Sequence, residues 1–531
     1  MKYLLLTLTS VFALVYMEAQ QANLFTIPNQ SAQYIRMPSR ATMVDVDAVF
    51  FNPANLPDLG NGFQISISNQ VLSQTSSITS DYQLFNEHPK SYQGKVKSFI
   101  FPSVFVNWNI NKTSFHGAFL IVGGAGGVDY ANLPVSDRGI ADVPYAVTNS
   151  PFLATPSIAA YDEANGTTYS NIADYRFDFS NKGLGFSPGY QLGLSHKLNK
   201  YFSFGMDFRY MQETFSSEGE ITNIQILPNT DDPSINNWVS PGDYLRLVGS
   251  NTGESGYDTF GGTYDILGAD RFINIRQKGS GVTFIPSVLI KPTKKLFIAL
   301  KYEHRTKVVL KTLVRDGKDG GVQFNPTTGN REPIFVDGEK IRSDMPGFLS
   351  WGMGYQVFDK WRVNVGGRYM FFNGVDFNGR EVYLDKSYYE LEFATEYQVA
   401  KKFLISAGYT YNKASVNKDY HNDVDFWIPG HTVGFGGRID FTKSLGFDFG
   451  AMITRNVSQS FTYSNHQYSD GVMIAGRPDN YDNSYTMDFK KNSFILGLGL
   501  SIKIKSDKNK TQFIDEDESE STSDLPYNFR G

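Results

Sequence analysis

The sequence predicts an all-β protein, a 14-stranded antiparallel transmembrane β-barrel, and three observations carry that expectation. Apolar and polar residues alternate with a period of two over runs of 9 to 15 residues, where ordinary strands average about 5 or 6 and a tilted strand crossing a bilayer needs roughly 9 to 11. Short turns containing Lys alternate strictly with long polar loops. No apolar run after the first residues is long enough for a spanning helix, and the mean hydropathy is −0.31.

The alternation is plain in Ser444 to Arg455. Leu445, Phe447, Phe449, Ala451 and Ile453 share one side of an extended chain, and Gly446, Asp448, Gly450, Met452 and Thr454 share the other. "YFSFGMDFRYM" sets Phe202, Phe204, Met206, Phe208 and Tyr210 against Ser203, Gly205, Asp207 and Arg209. In "KLFIALKYEHRTKVVLK", Ile298, Leu300, Tyr302, Val308 and Leu310 keep one phase, while Lys301, Glu303, Arg305, Lys307 and Lys311 keep the other. A face so charged belongs against a wet lumen rather than a dry core.

The short turns fall at 109–113, 197–200, 291–295, 357–361, 399–403 and 441–445. The long loops lie near 72–95, 124–181, 215–278, 314–344, 374–386, 416–429 and 458–488. The strands between them cover 61–71, 96–109, 113–123, 182–196, 201–214, 279–292, 296–313, 346–358, 361–373, 387–399, 403–415, 430–441, 445–457 and 489–505. An even strand count with short turns at one rim is the outer-membrane pattern, and closure leaves no sheet edge in hydrocarbon. It also places both termini on the short-turn, periplasmic side. Strands that return from long loops carry Pro102, Pro188, Pro286, Pro346 and Pro429 near their starts, which are expected to mark the outer rim.

Residues 1–19 read as a signal peptide, with Lys2, an apolar run from Tyr3 to Tyr16 and Ala19 at a cleavage position. The barrel is expected over 58–505, and the acidic 506–531 as a disordered periplasmic tail. The chain has no Cys and a net charge of −5. Disulfides, thiolate chemistry and a nucleic-acid partner are thereby set aside. The seven His show no metal-ligand spacing, no cofactor motif is present, and no nucleophile elbow is found.

Just before the first strand, "FFNPANLPDL" (50–59) resembles the Asn-Pro-Ala-x-Leu motif of the FadL/OmpP1 family of transporters of long-chain fatty acids and other hydrophobic compounds. "MPSRATMVDVDAVFFNPA", "FLIVGGAGGVDY", "GYTYNKASV" and "IPGHTVGFGGRIDF" add to the likeness, which covers most of residues 30–505. The resemblance implies a monomer whose residues 20–57 fold inside the lumen as a hatch containing Asn52, Pro53 and Ala54. It implies ligand capture at the outer loops and lateral exit where the third strand is kinked. Gly123, Gly124, Gly126 and Gly127 sit where that kink is expected.

The expected partners are a hydrophobic ligand and outer-membrane lipid and lipopolysaccharide. Arg209, Lys301, Arg305, Arg368 and Arg438 point inward and could meet an anionic headgroup; the alternative is that they pair with Glu303, Asp207, Asp440 and Asp448 in a polar wall. The functional expectation is passive uptake of long-chain fatty acids or aromatic hydrocarbons by a non-enzyme. The alternative is a docking or shuttle barrel for surface protein secretion or lipopolysaccharide modification, suggested by the long second and third loops.

Overall fold

The structure is a computed structural model. It describes residues 30–504, apart from 88, 131, 149–152, 154–168, 170, 231–232, 254–260, 263, 266–267, 316–321, 325–330, 334, 422, 424 and 465–483. The expected signal peptide and acidic tail lie outside the described residues.

Seventeen hydrogen-bonded segments form one closed sheet. Three crossings are split in two, which leaves fourteen strands. These are β1 (Gly62–Ser80), β2 (Lys90–Ile110), β3 (Thr113–Tyr130), β4 (Ile172–Lys197), β5 (Phe202–Pro228) and β6 (Arg271–Ile290), followed by β7 (Leu296–Glu303 and Val309–Val314). The second half is β8 (Lys340–Arg342 and Gly347–Phe358), β9 (Trp361–Phe371), β10 (Leu384–Ala400), β11 (Phe403–Val416), β12 (Gly430–Asp440), β13 (Leu445–Asn456, extended by Gln459–Ser464) and β14 (Ser484–Ile504). Antiparallel pairing of β1 with β14, from Phe63↔Ile504 to Ser80↔Met487, closes the barrel. The short connections fall where the Lys-containing turns were expected. The tightest, at Asn111, uses a positive φ of 56°, which Asn tolerates.

Side chains flip sides as the period requires. Leu496, Leu498 and Leu500 stand exposed on the outside of β14, while Ile495 and Ser501 are buried inside. Burying such an outer face in lipid is worth about 25 cal/mol per Å².

Several strands run well past the expected boundaries: β1 continues to Ser80, β4 starts at Ile172 and β5 ends at Pro228. The reason is visible in β5. Up to Tyr210 its exposed residues are apolar and its buried ones, Asp207 and Arg209, are polar. Beyond Gln212 the polarity inverts: Phe215, Ile221 and Ile224 are buried inside, and Glu218 and Glu220 face out. The strand keeps its period as far as Ile221 and slips by one residue at Asn223, where φ is 54°, while its surroundings change from oil to water, so a rule that seeks an apolar outer face ends too early.

The seventh strand departs from its expected single phase. It breaks after Glu303, and Val308 and Leu310 are as buried as Lys301 and Glu303. The chain has therefore slipped by one residue across the break. Gly281 on β6 accepts the slipped segment, since a Cβ there would lie 2.8 Å from the Lys307 carbonyl.

The prolines are a second correction. Pro102, Pro188 and Pro286 lie inside long strands, not at the rim. Each adjoins an interruption: a bulge precedes Pro102, the β3–β4 register shifts after Ile121↔Pro188, and β6 pairs with Leu296–Glu303 only from Ser287 onward. A residue with no N–H fits where the ladder has already lapsed.

Candidate functional site

Residues 30–60 enter the lumen as a compact segment. It consists of α1 (Ala32–Arg36), α2 (Ala48–Phe51) and a 3₁₀ turn (Pro53–Leu59). Ser31 caps α1 by accepting from the Tyr34 N–H, and its hydroxyl donates to Asp47. Arg40 spans Asp45 and Asp47 at 3.2 and 2.6 Å, so the segment carries its own ionic staple.

Hydrogen bonds join the segment to strands all round the barrel. Gln33 donates to Ser66 of β1 and to Ser501 of β14. Arg36 donates to Glu396 of β10, Ser406 of β11 and Asp448 of β13. Thr42 donates to Asn364 of β9. In the other direction Asn109 of β2 donates to the Leu56 carbonyl, Gln191 of β4 to that of Val49, and Lys301 of β7 to that of Phe50. Contacts this widely distributed fill the bore.

Small residues on the inner faces seat the segment. A Cβ on Gly450 would lie 2.8 Å from the Arg36 backbone nitrogen, and one on Gly497 would lie 3.1 Å from the Ile35 Cβ. The small-or-charged face of β13 thus has two jobs: its Gly450 makes room for α1, as Gly497 does on β14, and its Asp448 holds Arg36. Asn52 anchors the far end. Its Oδ1 accepts from the Ala54 N–H at 3.1 Å, and its amide donates to the Val288 and Leu300 carbonyls of β6 and β7. The Ala54 N–H also reaches the Ser287 hydroxyl, and the Pro53 carbonyl accepts from Ser195.

The five inward cations each have an acidic neighbour. Arg209 and Lys301 both lie 2.6 Å from Glu303. Arg438 sits 2.8 Å from Asp440 and 3.0 Å from Asp448. Arg368 lies between Glu390 and Glu392 at 3.4 and 3.7 Å, and Arg305, in the break of β7, is 3.9 Å from Asp344. A ligand headgroup would have to displace a carboxylate at each one. Asp207 takes another partner, His116, whose Nδ1 is 3.2 Å from the Ser114 hydroxyl. This Ser–His–Asp chain is fully enclosed and the Ser114 hydroxyl donates to Asn107. It therefore presents no nucleophile to a substrate.

The β2–β3 ladder is interrupted, as is that between β6 and β7. β2 and β3 pair from Ile110↔Thr113 to Val104↔Phe119 and again from Val96↔Val128, with no pairing between. Gly123, Gly124, Gly126 and Gly127 lie within or beside that interval, and the β3–β4 register shifts on both sides of Gly123. On β2 the facing stretch bulges, with Phe99 and Ile100 70% and 76% exposed on the outside. On the inside, Val96, Phe105, Leu120 and Val122 join Leu72, Met211 and the segment's Val49, Phe50 and Phe51 in one apolar cluster.

Above the segment, the loop between β11 and β12 turns Phe426, Trp427 and Ile428 into the mouth. Trp427 stacks at 5.9 Å with each of Phe372, Tyr388 and Tyr420. Beneath this loop lies a cavity of about 70 Å³, bordered by Tyr34, Trp427, Met452, Lys491 and Ile495 among others. The roles of Arg36, Arg40 and Trp427 were not foreseen. Their only sequence signal is their presence in segments without alternation.

Fold and interior together define a class: a closed outer-membrane-type barrel, plugged by its own N-terminal segment and with its β2–β3 ladder interrupted. The fold is that of the FadL-type channels. A Pseudomonas aeruginosa FadL homologue matches with a TM-score of 0.57 at 11% identity, covering 90% of this chain and 98% of that one. The Pseudomonas putida toluene transporter TodX matches at 0.50 and 15%, covering 90% and 99%. A TodX deltaS2S3 mutant, a monoaromatic hydrocarbon channel, matches at 0.53 and 14%, covering 90% and 100%. No family model and no curated protein matches the sequence.

Proposed function

We propose that this protein is a passive outer-membrane channel for hydrophobic small molecules, long-chain fatty acids or aromatic hydrocarbons. It would work as a monomer among outer-membrane lipid and lipopolysaccharide. The observation that carries the reading is the apolar interior, three clusters that share the partly buried Met345 and Phe179. Phe215 belongs to one of these above the bilayer and Ile221 and Ile224 to a second, while Leu72, Val96, Phe105, Leu120 and Val122 form the third beside the interrupted β2–β3 ladder. An apolar solute moving down its gradient gains at each step by staying out of water, so no energy source is needed.

In this reading Asn52, Pro53 and Ala54 form the latch of a hatch that gates the lumen. The glycines at 123, 124, 126 and 127 keep the wall open for exit into the membrane. Arg209, Lys301, Arg305, Arg368 and Arg438 then act on the hatch and the polar wall rather than on a headgroup. Similarity to a toluene transporter and a monoaromatic hydrocarbon channel supports the solute class.

The test is uptake of labelled fatty acid and of toluene by cells with and without the protein, and with N52A/P53A. Uptake that depends on the protein and changes in the hatch variant, with a normally folded barrel, is expected. Equal uptake with and without the protein, accompanied by altered surface proteins, would refute the channel and favour docking.

A further inference from the structure

We propose that the outer surface of β6, β7 and β8 is a docking face for the phosphorylated headgroup of lipopolysaccharide, held by Lys278, Lys307, Lys311 and Lys340. The inference rests on the outer-membrane reading above, with the long loops facing out, and names the lipid that this flank of the barrel meets.

Three of the lysines form a row. Lys278 of β6 pairs across the ladder with Lys311 of β7, and Lys311 pairs in turn with Lys340 of β8. Their neighbours Gln277, Leu310 and Thr312 are buried inside, and the three lysines stand exposed on the outside. Like charges on directly opposed residues repel, and an anion lying across them relieves the repulsion. Lys307, also exposed, sits lower on the same flank, where its carbonyl would lie 2.8 Å from a Cβ on Gly281. Among the described residues, none of the four makes an ion pair or a side-chain hydrogen bond. At the next outward position of β6, Arg276 is partly buried and its Nε has no hydrogen-bond partner. The outward acids of β5, Glu218 and Glu220, stand farther from the membrane, opposite Asn274 and Phe272. Asp337 is taken by the Val314 N–H, which leaves Glu339 as the one acid beside the row in the chain.

The height of the row identifies the partner. Tyr210, Tyr302, Tyr369 and Phe371 are exposed and mark the aromatic girdle on the long-loop side. Val282, paired with Tyr210, belongs to that level, and so does Lys307 beside Gly281. Lys278 lies on the same strand beyond Val282, roughly 10 Å higher for a strand tilted by about 40°. Lysine stems bend back towards the membrane surface, which carries the ammonium groups to the depth of lipid phosphates. Three strands at a spacing of about 4.8 Å make a row roughly 10 Å wide. Such a row accommodates two phosphates on one disaccharide headgroup, whereas a lipid with a single phosphate fills only part of it.

The test is titration of the detergent-solubilised full-length barrel with fluorescent lipopolysaccharide, with the same material after phosphatase treatment, and with phosphatidylglycerol. The phosphorylated form is expected to bind at least about tenfold tighter than either of the others, the scale of three exposed ion pairs acting together. The triple variant K278Q/K311Q/K340Q should lose that preference, and K278R/K311R/K340R should keep it. K294Q/K360Q/K401Q, which removes three exposed lysines from the short turns, should also keep it. Heat-modified electrophoretic mobility checks that each variant is folded. Equal binding of the three lipids by the native protein, or a preference that survives K278Q/K311Q/K340Q, overturns the proposal. Solute uptake that does not depend on the protein would instead refute the channel reading and leave this lipid preference standing.

Discussion

A single carboxylate shows how much one inward position can hold. Asp448 is completely buried and accepts from Arg36, Arg438 and Gln33. Asp448→Asn leaves two buried guanidinium groups short of a partner, at a cost of roughly 3 kcal/mol to the seating of the hatch. A cysteine introduced at Ser39, otherwise buried, should then react with a thiol reagent on the order of a hundredfold faster; unchanged protection would show that the ion pairs do not hold the hatch. His421 gives a pH-dependent case in the outer loop. Burial holds its imidazole below the ordinary value of 6.5, against the pull of the Trp427 and Asn417 carbonyls. The unfolded loop takes up a proton near pH 6.5 and the folded loop does so only at lower pH. The stabilisation is therefore present above about pH 6.5 and lost as pH falls through the folded value. Hydrogen exchange over residues 417–428, corrected for intrinsic rate, should rise between pH 7.5 and 5, and His421→Gln should flatten that rise. Alternation alone marks Asp448 as inward. It does not reveal Arg36 as its partner, because the two are 412 positions apart and the hatch has no period to read.

At the scale of elements, the proposed exit at the interrupted β2–β3 ladder and a passage past Ala54 predict different outcomes for the solute. Replacing Gly124, Gly126 and Gly127 with Val should favour regular pairing and bring uptake down towards the level of cells without the protein. A disulfide between cysteines placed at Ala54 and Ser287, whose N–H and hydroxyl meet at 3.1 Å, should leave uptake largely intact, since lateral exit does not require the hatch to leave. Loss of uptake in the cross-linked form and recovery on reduction would mean that solutes pass along the axis. Most strands could be read from the sequence because lipid enforces an apolar outer face along each crossing. The readable signal ends where that pressure ends. The upper half of β5 inverts its polarity, and β7 slips by one residue beside Gly281. Pro102 and Pro286 carried information about breaks in pairing rather than about the rim, and only the register of the neighbouring strands distinguishes the two.

For the molecule as a whole, the barrel closes through β1 and β14 independently of the hatch. Deleting residues 20–57 should leave a folded barrel that conducts ions in planar bilayers, where the intact protein is closed. A deletion that fails to fold would make the hatch part of the barrel's core. The hatch also constrains the order of assembly. The anchors of α1 include Glu396, Ser406, Asp448 and Ser501 in the last third of the chain, whereas the Asn52 end meets Ser195, Ser287 and Leu300 earlier in it. The helix that leaves the ribosome early thus cannot seat Arg36 until the final hairpins have been threaded. Through all that time Arg36 must remain hydrated, so the stopper of this vessel goes in only after the glass has set.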